Sequence, residues 1–299
     1  MKRTVISFLL TALVLTAAAQ SDTTVAAADS IKKPAPLKSY FSASVSYLSN
    51  SIYNGRKDSV ATPYITPTIG YYDKSGFFAD ASLSYLARAG SGRIDLFSLS
   101  AGYDFYIGNF EGEVSANKSF YNSSSTNVQS EITGSLLLNG AYDFNFIKPS
   151  FDAGINFGSK SDYVFNFGLE HSFYAANDKF LITPTVKANG STENYYGSYY
   201  TKRKVGAKKK NAGVVYDVSA SVEDASKYKV LAYEFSLPMS YTIKKFTFLV
   251  LPAYIIPVHP ALINVTLKPE TGTGTTINRT QTEVISNSFY CSVGISYKF

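Results

Sequence analysis

From Tyr40 to its end the chain repeats one pattern: apolar or aromatic residues at every second position, with small or polar residues between them. In Tyr40–Leu48 the row Phe41, Ala43, Val45, Tyr47 alternates with Ser42, Ser44, Ser46. A period of two puts the rows on opposite faces of a strand. The same reading predicts strands over Tyr64–Tyr72, Phe77–Leu86, Ile94–Phe105, Phe110–Tyr121 and Val128–Phe144. It continues with Phe151–Phe157, Tyr163–Phe173, Phe180–Ala188, Val230–Tyr241, Phe246–Ile256 and a last strand ending at Phe299. Val214–Val222 reads either as a further strand or as part of a hairpin within a loop. The expectation is an all-β chain of about twelve strands, with ten or fourteen as alternatives, most of them near the length that crosses a bilayer at a tilt.

The connections sort by parity. Those after even strands are short: Asp73-Lys-Ser-Gly76, Ile107-Gly-Asn109, Lys148-Pro149, Ala176-Asn-Asp-Lys179 and Thr242–Lys245. Those after odd strands are mostly longer and polar. A membrane-spanning up-and-down barrel sorts its connections this way, with short turns on one side and long loops on the other. A soluble exported β-sandwich is the alternative fold, and it gives no reason for such sorting.

The rows also assign an inside. The apolar row is expected to face lipid, and the polar row to face a lumen holding Asp80, Asp104, Glu111, Glu113, Glu131, Asp143, Asp152, Glu170 and Glu234, against Lys187 and Lys298. Basic residues gather instead in the presumed fifth outer loop, at Lys202, Arg203, Lys204, Lys208, Lys209 and Lys210. One reading is plain solvation, with the loop lysines facing anionic lipopolysaccharide. The sharper one is an acidic, cation-favouring lumen with the basic loop as a gate at its mouth.

The beginning of the chain differs from the rest. Lys2 and Arg3 precede the apolar run Val5–Leu15, and Thr16-Ala-Ala-Ala19 supplies small residues for cleavage, so 1–19 reads as a signal peptide. Residues 20–38, which include Lys32-Lys-Pro-Ala-Pro-Leu37, read as a periplasmic linker, and 39–299 as the barrel. Removing 1–19 takes the charges of Lys2 and Arg3 off the formal net +6. The remaining basicity is local, so no nucleic-acid partner is expected.

Candidate chemistry is sparse. The lone cysteine, Cys291, excludes an intramolecular disulfide and a cysteine-cluster metal site. In Glu170-His171-Ser172 the neighbours of His171 point to the opposite face, and His259 sits among prolines with no acid or nucleophile pattern. Thr271-Gly-Thr-Gly-Thr275 has no following helix with which to cradle phosphate. No enzymatic activity, cofactor or metal is expected.

The closing segment carries the clearest likeness. Phe289, Cys291, Val293, Ile295, Tyr297 and Phe299 form one row, ending on an aromatic carboxy-terminus with a second aromatic two residues earlier. With the signal segment and the strand series, this resembles the outer-membrane β-barrels of Gram-negative bacteria, over about Tyr40 to Phe299. Aromatic-rich strands without tryptophan, and the Ala-Gln cleavage site, resemble members from the Bacteroidota. The resemblance implies insertion into the outer membrane, with Tyr297 and Phe299 as the signal read by the barrel-assembly machinery. It names no cargo. The expected role is a monomeric narrow channel or solute-uptake pore. The alternatives are a structural or surface-binding barrel with an occluded lumen and, third, a barrel hydrolase.

Overall fold

The computed structural model describes residues 38–211, 214–271 and 274–299. The expected signal peptide, and all of the linker but its last residue, lie outside the described residues. Twelve antiparallel strands form the wall. They are β1 (Tyr40–Leu48), β2 (Tyr64–Tyr72), β3 (Phe77–Leu86), β4 (Arg93–Ile107), β5 (Phe110–Tyr121) and β6 (Gly134–Tyr142). The second half is β7 (Lys148–Phe157), β8 (Asp162–Glu170, resumed at Phe173–Ala175), β9 (Phe180–Ile182 and Thr185–Ser191), β10 (Lys229–Ser236 and Met239–Ile243), β11 (Phe246–Pro257) and β12 (Ser288–Lys298). Each pairs with its neighbours in sequence, and β12 pairs with both β11 and β1, so the sheet closes.

Closure and alternation settle where side chains go. On the outside Phe41, Ile69, Phe77, Leu99, Val114, Leu136, Tyr163, Phe165, Phe167, Val186, Phe248 and Val293 stand exposed around the circumference. On the inside Ser46, Thr66, Ser82, Ser98, Asn156, Asn166 and Ser292 are buried. A soluble protein rarely exposes so continuous an apolar surface, and a polar interior cannot be the core that would stabilise one.

Three neighbouring strands break at one level, at His171-Ser172, Thr183-Pro184 and Leu237-Pro238. Pro184 and Pro238 have no N–H to donate to the ladder. Their carbonyls still accept, from His171 N at 3.3 Å and from Thr183 N at 2.9 Å, so the wall stays continuous.

Two predicted boundaries move. Lys148-Pro149 belongs to β7 rather than to a turn, with Lys148 pointing inward and the turn lying at 143–147. The strand expected over Val128–Phe144 begins only at Gly134. Ahead of it the Asn127 carbonyl accepts from Ser130 N, and the Gln129 carbonyl from Ile132 N, giving successive turns. The alternation there serves burial in a different core, since Val128 and Ile132 pack among loop residues.

The long loops build a cap at one end. Val214–Val222 is a strand of this cap, not of the wall. The cap sheet runs in the order Lys208–Asn211, Val214–Val222, Leu262–Pro269, Ile277–Thr282. Helix α1 (Asn194–Tyr200) lies on it with Gly197 against the Ala220 carbonyl, where a Cβ would come within 3.0 Å. Thr201 Oγ1 fastens the pair, donating to the Gly197 carbonyl and accepting from Ala220 N at 2.7 Å. Tyr53, Val128, Tyr195, Tyr196, Tyr199, Val218 and Ile263 form the apolar core of this cap.

Candidate functional site

The lumen and its capped mouth are the candidate site. Among the expected lumen acids, Asp80, Glu113, Asp152 and Glu234 are buried on inward positions, and Asp104, Glu111 and Glu170 half-buried. Glu131 and Asp143 lie off the strands. Glu131 is in the turn ahead of β6, 2.6 Å from Lys202. Asp143 is in the short turn after β6, where its Oδ1 accepts from Asn145 N at 2.6 Å.

The remaining acids divide into two sets. On the wall from β5 to β10 they meet lysines: Lys148 pairs with Glu111 and, at 3.3 Å, with Glu170, while Lys187 pairs with Asp152. Glu234 accepts from Tyr290 Oη at 3.0 Å. Lys148 was hidden in the sequence because Lys-Pro reads as a turn. On the wall from β3 to β5, Asp80, Asp104 and Glu113 have no lysine, arginine or histidine in ion-pair contact among the described residues.

The loop after β1 folds into the mouth. Its Tyr53 hydroxyl accepts from Asn156 Nδ2 on β7 at 2.8 Å, and Asn54 Nδ2 donates to Ser191 Oγ on β9 at 2.8 Å. Gly55 has φ +77° and lies where a Cβ would come within 2.7 Å of the Pro257 Cβ, so the loop also presses on the end of β11. Arg56, fully buried, pairs with Glu193 and donates from Nε to both oxygens of Glu283, at 3.0 and 3.2 Å. Its guanidinium also lies 4.6 Å from the Tyr196 ring centre. Burial alone works against the charge, but Tyr195, Glu283 and Glu193 outweigh it and raise the arginine above its ordinary value. Arg56 thus ties the first outer loop to the fifth and the last.

The basic stretch lies across this cap. Lys202 reaches Glu131, Arg203 donates to the Ser123 carbonyl at 2.7 Å, and Lys204 Nζ lies 3.3 Å from Asp58. Lys208 pairs with Glu270, and Lys209 and Lys210 are exposed. Nothing in the sequence pattern marks Arg56, Glu193 and Glu283 as a cluster. The one available signal was the tyrosine density of Asn194-Tyr-Tyr-Gly-Ser-Tyr-Tyr200, more than a solvated loop needs. Elsewhere His171 packs edge-on to Phe173 at 4.6 Å, and His259 Nδ1 meets the Val230 carbonyl. Among the described residues no group of three acids, histidines or cysteines is placed to hold a metal ion.

A closed barrel with an apolar outer surface, a polar interior, short turns at one end and long loops at the other is a transmembrane barrel of the bacterial outer-membrane kind. No protein-family model matches the sequence, and no curated protein matches it. Solved structures similar to it include a KdgM porin, 10% identical over 86% of this chain and 99% of that one, with a TM-score of 0.44. A NanC porin is likewise 10% identical, over 87% of this chain and 100% of that one, at 0.44. An OmpF from Salmonella typhi is 8% identical over 88% and 97%, at 0.32. At these scores the likeness carries no argument about cargo or residues.

Proposed function

We propose that the protein is a narrow outer-membrane solute channel, closed at its outer end in this conformation by the loop after β1. What carries the reading is the contrast between the two halves of the lumen. Toward the loops, Leu48, Ser84, Ser98, Asn156, Tyr290 and Ala253 are buried, filled in by the loop and its neighbours. Toward the turns, Ser42, Ser44, Ser100, Ser115, Asn139 and Ser236 keep part of their surface in contact with solvent, while Phe78, Asp80, Glu113 and Lys148 are buried against their neighbours. A lumen wet at one end and stoppered at the other by a separate loop is the arrangement of a gate. The surplus of acids over Lys148, Lys187 and Lys298 favours cations. The basic stretch Lys202–Lys210 forms the outer layer of the gate, and exposed Lys209, Lys210 and Lys118 face anionic lipopolysaccharide. The channel works as a monomer, and the assembly machinery reads Tyr297 and Phe299.

The burial of Arg56 supports a second reading, a permanently occluded structural or surface-binding barrel. Planar-bilayer recording separates the two. The channel reading expects small, infrequent, cation-selective steps from the natural protein and frequent ones from Arg56→Ala. Silence from both inserted proteins selects the occluded barrel, and an anion preference sinks the acidic-lumen reading.

A further inference from the structure

We infer that the turn-side half of the lumen holds a binding site for organic ammonium cations, built from the rings of Tyr40, Tyr72 and Phe78 and the carboxylates of Asp80, Asp104 and Glu113. The inference rests on the reading of that half as solvent-accessible.

The rings come from three adjacent strands and all point inward. Tyr40 and Tyr72 stack at 5.0 Å with planes 6° apart, and Tyr72 and Phe78 at 6.0 Å and 21°. Two glycines make room for them. A Cβ on Gly70 would collide with the Asp80 carboxylate and come within 2.9 Å of the Tyr72 ring, and one on Gly102 would lie 2.5 Å from the Phe78 ring. Stack and carboxylate therefore occupy space that any larger residue at either position would take.

Charge concentrates beside the stack. Tyr72 Oη donates to Asp80 Oδ1 at 2.9 Å, while Asp80 Oδ2 is buried with no hydrogen-bond partner among the described residues. Asp104 and Glu113 stand directly opposite each other on β4 and β5, both inward. Like charges so placed repel and favour a counter-charge between them. Glu113 accepts from the Asn139 amide of the neighbouring strand at 3.3 Å and is in no ion pair among the described residues. Of the lumen lysines, Lys148 and Lys187 are engaged with acids on the other wall, and Lys298 is in no ion pair with these three carboxylates among the described residues.

The stack already carries an ammonium. Lys298 Nζ lies 3.7 Å from the centre of the Tyr40 ring. An ammonium over an aromatic face is attracted by the ring's quadrupole, and more strongly where water is partly excluded. This tethered amine marks the chemistry the ring face accepts. The carboxylates are spread over three strands instead of converging, which suits a cation with an apolar body better than a bare metal ion.

The test is equilibrium binding to the full chain in detergent micelles, by titration calorimetry. Its probe is n-butylammonium, with n-butanol, glucose and sodium ion as comparators. The natural protein is expected to bind n-butylammonium at least tenfold more tightly than any comparator, with affinity falling as salt is raised. Asp80→Asn combined with Asp104→Asn should weaken binding more than tenfold, Tyr72→Leu several-fold, and Asp143→Asn in the turn should leave it unchanged. Folding of each variant is read from its heat-dependent gel mobility. Equal binding of butanol or glucose, or salt-independent binding, overturns the proposal using the natural protein alone. Tight binding without conductance would sink the channel reading and leave this site standing; conductance without selective binding would do the reverse.

Discussion

Asn156 on β7 donates a 2.8 Å hydrogen bond to the hydroxyl of Tyr53, which sits on a loop rising from the opposite wall. Five strands lie between β1 and β7 in either direction around the barrel, so this bond spans the mouth. Tyr53→Phe should cost about 1 kcal/mol, the ordinary net worth of one hydrogen bond. Urea unfolding in micelles should show Tyr53→Phe and Asn156→Ala to be non-additive, and additive losses would mean that the bond contributes nothing.

Arg56 is the larger anchor. Arg56→Ala leaves Glu193 and Glu283 buried without their partner, which in other proteins costs about 3–5 kcal/mol. Limited proteolysis should then cut within residues 49–63, a loop that should resist cleavage in the natural protein. Lys229, 3.1 Å from Glu193, would offset part of the loss.

Gly55 tests the fit of the same loop without touching a charge. Its positive φ and the nearness of Pro257 both exclude a branched side chain. Gly55→Val should open the mouth much as Arg56→Ala does, read as more frequent channel openings. Gly90 also has a positive φ but open space around it, so Gly90→Ala should leave conductance unchanged.

The seam strand sets the fourth expectation. Phe299 N donates to the Phe41 carbonyl at 2.9 Å, and the Phe299 ring packs edge-on to Tyr297 at 4.9 Å. Deleting Phe299 should lower the yield of heat-modifiable, membrane-inserted protein several-fold. Replacing Lys208, Lys209 and Lys210 by glutamine should not. Normal insertion of the deletion would count against an assembly role for this terminus.

Asp73, in the exposed turn after β2, supplies the acid dependence. The Ser75 hydroxyl and amide donate to Oδ1, at 2.5 and 2.9 Å, and the Ser39 and Tyr71 hydroxyls to Oδ2, at 2.8 and 3.0 Å. These bonds, led by the Ser75 hydroxyl, hold the carboxyl well below the usual carboxylate range. A lowered folded-state value means that the stabilisation is present above the ordinary aspartate value and is lost as pH falls toward the folded one. NMR titration should show Asp73 still ionised where free aspartate has protonated. In Asp73→Asn, urea unfolding should lose this part of its acid dependence.

The sequence by itself determined most of the strands and their facing and put their number near twelve; closure of the sheet, with Val214–Val222 in the cap, decided the count. Alternation is local, written in neighbours such as Val45 and Ser46, and bilayer and lumen demand opposite residue types at successive positions. The short turns were legible for the same reason. Alternation misled at Val128 and Ile132, which are apolar for the sake of the cap core, and Lys148-Pro149 looked like a turn although Lys148 serves Glu111 and Glu170. Only the closed barrel brings Tyr53 to Asn156, 103 residues away, and Arg56 to Glu193 and Glu283. Only the tertiary structure, too, shows that Lys148 and Lys187 pair with Glu111, Glu170 and Asp152 and leave Asp80, Asp104 and Glu113 without an ion pair among the described residues. Such contacts depend on which loops and strands the ring sets face to face, and no local period records that.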